Sequence, residues 1–121
     1  MQKNAYYAAD EKGLSEPEIA LALKNFLTAQ KGPLQKVLLI PPDYTRLHSN
    51  AGLITQLLYK MLHPACQVDI LPALGTHLPV SPGEWEAMYG TVPYERMIIH
   101  HWRSEVTLLG EVPGAFVSEV S

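Results

Sequence analysis

Three short polar clusters hold most of the side chains able to do chemistry. They are Asp43-Tyr44-Thr45-Arg46 with His48, then Gly75-Thr76-His77, then His100-His101-Trp102-Arg103. Arg46 carries a planar fork that can grip a carboxylate through two hydrogen bonds, which suits an organic acid. His77 lies two residues before Pro79 and two after Gly75, and a histidine takes and returns a proton near neutral pH at little cost. General acid/base work is the chemistry such a residue offers, although a loop histidine is also often merely solvated. Asp43 could orient a histidine, accept sugar hydroxyls or cap its own loop, as Asp commonly does in turns.

Metal chemistry finds less support. His100 and His101 are adjacent, so on a strand they would point to opposite faces and could not easily share an ion. His48 and His63 sit at the two ends of an expected helix. A metal site built from this chain alone is therefore not expected.

The elements that must position these clusters follow from the hydrophobic pattern. Ser15-Glu16-Pro17-Glu18 has capping-box spacing, and Ile19, Ala22, Leu23, Phe26 and Leu27 recur at helical intervals, predicting a helix over about 16–29 that Gly32-Pro33 stops. Lys36-Val37-Leu38-Leu39-Ile40 is a short apolar run suited to a strand buried on both faces, ended by Pro41-Pro42. Leu53, Ile54, Leu57, Leu58 and Met61 form the stripe of a second helix, capped by Ser49 or Asn50 and stopped at His63-Pro64. Val68-Asp69-Ile70-Leu71 is a second strand, which Pro72 marks as an edge or as leaving the sheet.

Strand, helix and strand in this span make a right-handed parallel crossover. Ser81-Pro82-Gly83-Glu84 opens a short third helix with Trp85, Met88 and Tyr89 on its apolar face, ending at Gly90. Met97–His100 and Val106–Leu109 read as further strands, and Phe116–Val120 as the opening of another element. The order predicts one α/β domain over 1–121, three-layered, with a mainly parallel sheet flanked by helices. All three clusters would then sit at the carboxyl edge of that sheet, where open α/β folds bind ligands.

Composition narrows the function classes. The 121 residues carry 9 Lys and Arg against 12 Asp and Glu, for a net charge of −3, so no broad basic field exists for nucleic acid. One cysteine, Cys66, cannot form an internal disulfide, which fits a reducing cytoplasm. Residues 1–7 show no export signal, and no stretch approaches the ~18 apolar residues of a membrane span. Glycine-rich dinucleotide, phosphate-loop and nucleophile-elbow motifs are all missing, which removes support for ordinary nicotinamide, nucleotide-triphosphate and serine-hydrolase chemistry.

At Ile40–Ser49, with Pro41-Pro42-Asp43-Tyr44-Thr45-Arg46, and at Leu71–Pro79, with Gly75-Thr76-His77, the sequence resembles the lactate racemase family. A third block, His101–Pro113, is similar to a segment found in uncharacterised branches of it. The resemblance covers most of residues 14–121. It implies the Rossmann-like amino-terminal domain of a two-domain enzyme with its active site in the cleft between domains. Family members use a nickel-pincer nucleotide to move a hydride at the alpha carbon of a 2-hydroxyacid.

Carried over by motif, His77 resembles one of two proton-shuttling histidines, and Arg46 the holder of the substrate carboxylate. Asp43, Thr45 and Thr76 resemble positions near the cofactor or the catalytic histidine. The second histidine, the lysine tether and the nickel ligand of the family have no counterpart in this chain. His100-His101 also departs from the acidic residue that follows the histidine of the third block in other members.

The leading expectation is thus the amino-terminal domain of a 2-hydroxyacid racemase or epimerase, inactive alone and partnered by a missing carboxyl-terminal domain. A homo-oligomer is a further expectation, since a cleft-facing surface exposes apolar area. The rival is a non-catalytic α/β domain that binds carboxylate or phosphate near Arg46, and a third reading is a self-contained metal-dependent hydrolase.

Overall fold

A computed structural model describes residues 10–121, so the opening segment, read above as free of an export signal, lies outside the described residues. The elements in order are α1 (Glu16–Thr28), β1 (Lys36–Leu39), α2 (Ala51–Leu62), β2 (Gln67–Ile70), α3 (Pro82–Tyr89) and α4 (Gly114–Val120). Short 3-10 turns occupy Tyr44–Ser49 and Tyr94–Arg96. No described helix is long and apolar enough to cross a membrane.

The caps form as the sequence predicts. Glu18 reaches back to the Ser15 amide at 2.7 Å, and at α3 the Ser81 amide donates to Glu84 while Glu84 N–H donates to the Ser81 hydroxyl. At α2 both candidate residues contribute: Asn50 takes the cap position at φ 61°, and the Ser49 hydroxyl accepts from the Ala51 amide.

β1 and β2 are parallel, in a register that runs from Lys36 opposite Gln67 to Leu39 opposite Ile70. The pairing continues past both strands to a rung between Pro42 and Ala73. Proline cannot donate to a ladder, but its carbonyl still accepts, and Pro41 O receives the Ala73 N–H at 2.8 Å. The parallel track therefore extends three residues past each strand, through both prolines, carrying Asp43 to the same edge as the turn that follows Ala73.

Three expectations change. β1 is not buried on both faces: Val37 and Leu39 pack inward, while Leu38 is 49% and Ile40 63% exposed. β2, not β1, is flanked on both sides, because Ile70 also bridges Met97 and accepts the Ile98 N–H at 2.7 Å. The strands expected at 97–100 and 106–109 reduce to that single rung and to an unpaired extended segment in which Leu109 is 98% exposed. An apolar run becomes a strand only where a neighbour supplies backbone partners, and the described residues offer none to 106–109. The result is an α/β fold with a two-stranded parallel sheet, in place of the larger sheet anticipated.

The core lies on one face of this sheet. Ile70, Leu74, Val80, Trp85, Met88, Tyr89 and Val92 form its larger part. Val68, Leu62 and Cys66 form a smaller part, against which Leu27 of α1 packs. Trp85 anchors the larger cluster, with its indole N–H donating to Val92 O at 2.7 Å and its ring against those of Tyr89 and Tyr94.

Helices α2 and α3 meet where Gly52 abuts the Met88 backbone carbonyl, which also accepts from Gln56. A methyl at 52 would run into that oxygen, and a backbone atom cannot swing aside as a side chain can. Gly52→Ala is therefore expected to lower stability by about 1–3 kcal/mol, read as a lower urea midpoint with an unchanged slope.

Candidate functional site

The site is built from the two turns that the parallel track delivers to one edge. The first turn begins at Asp43, only 5% exposed, whose Oδ1 accepts from both the amide and the hydroxyl of Thr45. These bonds make Asp43 the cap of the Tyr44–Ser49 turn. The second turn closes with the His77 amide donating to Leu74 O, and Gly75 within it adopts φ 59°, a left-handed conformation that glycine takes without strain.

Between the turns, Oδ2 of Asp43 meets Nδ1 of His77 at 2.7 Å. Of the three roles open to Asp43 in the sequence, two are filled together: it caps its loop and orients a histidine. A carboxylate accepts hydrogen bonds only, so the bond is favourable when Nδ1 carries a proton. In the neutral ring that leaves Nε2 as the proton acceptor. His77 is 55% exposed on its side chain, so the ring is held at one nitrogen and accessible at the other.

A residue outside the sequence-derived set holds this pair from below. Tyr89 of α3 is fully buried, and its hydroxyl donates to Pro42 O at 2.8 Å, one residue before Asp43. Burial, reinforced by the negative charge of Asp43, pushes the Tyr89 hydroxyl up to about 12, so it stays a donor. The sequence signal was a tyrosine on an otherwise apolar helix face, since a buried phenol must find a partner.

Two recesses flank His77. One, of about 540 Å³, is lined by Asp43, Thr45, Thr76 and His77 with neighbouring residues of both turns. The other, of about 280 Å³, runs between Thr76–Pro79 and Ile99–Ser104, and both His100 and His101 line it. The expectation that these adjacent histidines diverge does not hold, because the segment is not a strand. It folds back on itself, with Trp102 N–H on His100 O and Ser104 N–H on His101 O. Arg46 stands exposed on the 3-10 turn and lines neither recess. His48 is likewise exposed, and His63 stacks on Tyr59 at 5.2 Å, away from the site.

The lactate racemase N-terminal domain matches residues 3–116. The chain belongs to the lactate racemase family. No curated protein matches it. Among solved structures it is similar to a crystal structure of a protein from Thermotoga maritima, at 27% identity and a TM-score of 0.74 over 95% of this chain. The chain spans 28% of the length of that protein.

The family as a whole is associated with a nickel cofactor. Among the described residues no group of three or more His, Cys, Asp or Glu side chains converges as metal ligands must. The residues present therefore do not fit a nickel site of their own, and no chemical step is assigned through one.

The Asp43 carboxyl is subject to opposing effects. Burial pushes it up, but hydrogen bonds from Thr45 and His77 and the charge of His77 outweigh burial and hold it below the ordinary aspartate value. With the folded value depressed, the unfolded chain binds this proton more readily. The stabilising contribution is thus complete above the unfolded aspartate value, about 3.9, and is lost as the pH falls below it. Asp43→Asn should be less stable than the parent at neutral pH and show a shallower loss of urea-unfolding free energy between about pH 5 and pH 3. Equal slopes for the two proteins would mean that Asp43 does not carry this linkage.

Proposed function

We propose that this chain is the substrate-side domain of a 2-hydroxyacid racemase or epimerase, with His77 transferring the hydroxyl proton and Asp43 holding its ring. The observation that carries the reading is the Asp43–His77 hydrogen bond at the carboxyl edge of the parallel pair, with the far side of the imidazole open. The match to the lactate racemase N-terminal domain supports the same assignment. Arg46, on the turn that Asp43 caps, is the proposed anchor for the substrate carboxylate. Thr45 and Thr76 border the larger recess, where a cofactor would come closest to this domain.

The nickel-pincer nucleotide implied by the family resemblance would supply hydride transfer at the alpha carbon, and in this proposal other parts of a longer protein hold it. Those parts would also cover the open side of the sheet at Leu38 and Ile40 and complete a three-layer, Rossmann-like arrangement. A cytoplasmic setting accords with the single thiol, Cys66, which is buried against Leu34 O.

The test uses the longer protein that contains this domain, assayed for interconversion of 2-hydroxyacid enantiomers. His77→Ala is expected to slow turnover by about 10²–10⁴-fold, the usual contribution of a general acid or base, while leaving the fold intact by circular dichroism. Arg46→Gln is expected to raise KM more than it lowers kcat. An unchanged rate in the His77 variant would remove that residue from the mechanism. Carboxylate binding by calorimetry with no turnover in any form of the protein would favour a non-catalytic binding domain.

A further inference from the structure

The smaller recess beside His77 has a composition at odds with the rest of the molecule. The chain is net negative, yet this recess is lined by Arg103 and three histidines with no aspartate or glutamate in its wall. The Arg103 guanidinium lies 4.4 Å from the centroid of the Trp102 ring. A guanidinium placed over an aromatic face keeps its N–H donors for other partners. Among the described residues no carboxylate lies within ion-pairing distance of Arg103, the two such contacts being His77–Asp43 and Arg96–Asp69.

His100 adds a second polar group. Its Nδ1 is buried without a hydrogen-bond partner, and a buried polar atom left unpaired carries a desolvation cost that a ligand could relieve. His100 borders the recess, together with an apolar wall of Leu74, Ile99 and Trp102.

We infer that this recess is a binding site for an anionic group, a carboxylate or a phosphate monoester, carried on a small apolar or aromatic body. Arg103 is the charge anchor, His100 a polar neighbour in the wall, and Trp102 the surface on which the body lies. The site is distinct from the carboxylate anchor proposed at Arg46, and the inference stands whether or not the domain takes part in racemisation. About 280 Å³ is ample for such a ligand, near the lower end of small-molecule sites.

The 121-residue chain itself serves for the test, titrated with inorganic phosphate and separately with phenylacetate, which lacks the 2-hydroxyl, while the indole and backbone amide resonances are followed by NMR. Saturable shifts centred on Trp102 and on 99–104 are expected. Arg103→Gln should weaken binding by about tenfold, the loss of one charge-assisted interaction. Arg103→Lys should retain more phosphate binding than Arg103→Gln, because a point charge still holds phosphate. The remaining resonances of each variant report whether it has folded.

Phenylacetate binding without phosphate binding would assign the anion to an organic acid, and the reverse to a phosphate ester; either supports the site. Arg96→Gln, whose side chain pairs with Asp69 outside this recess, should leave this binding unchanged. Loss of binding in Arg46→Gln with none in Arg103→Gln would overturn the inference while supporting the proposed carboxylate anchor. Absence of any saturable shift would overturn it outright.

Discussion

The Asp43 carboxylate is buried, and a buried charge is tolerated only where donors compensate for lost water. Two turns meet that demand together. Thr45 supplies two donors from the turn that Asp43 caps, and His77 supplies one from the turn after Ala73. Because a single carboxylate satisfies its lone pairs from both turns, neither can move far without exposing a cost in the other. The exposed ring of His77 inherits its orientation from this arrangement.

That constraint depends on an exact backbone track. The parallel register carries through Pro41 and Pro42 because the paired side of this segment needs a carbonyl and not an amide. Proline also restricts the chain that follows the strand, so the residues leading to Asp43 have few alternative conformations. The Tyr89 hydroxyl then ties the Pro42 carbonyl to the core helix, which Trp85 and Met88 hold against the sheet. Core packing and site geometry are thus joined through one phenol. A rigid element beneath a loop site is the usual way a fold holds reactive groups in place.

The opposite face of the molecule is built differently. The helices that cover the sheet leave Leu38 and Ile40 open on its far side, and the segment between Ser104 and α4 has no regular structure and exposes its apolar residues. Among the described residues, only Met97 and Ile98 join β2 on the side away from β1. The similar Thermotoga maritima protein is longer, this chain covering 28% of it. At the site edge, by contrast, the Asp43 carboxylate is satisfied from both turns, and the two recesses share His77 as a common wall.

Much of this was legible in the residues. Helix limits at Ser15, Ser81 and Gly90, the first two strands and the crossover between them follow from local capping chemistry and from hydrophobic period, which act over a few residues. The meeting of the first two polar clusters at the carboxyl edge follows from the parallel order of those strands. Tertiary structure decided the rest. It alone set the exposed face of β1, the loss of strands at 97–100 and 106–109, the fold-back that turned His100 and His101 into one recess, the standing of Arg46 outside both recesses, and the bond from Tyr89 to Pro42. Each of these depends on which distant backbone or side chain is available as a partner, and a pattern of neighbours along the chain does not encode that.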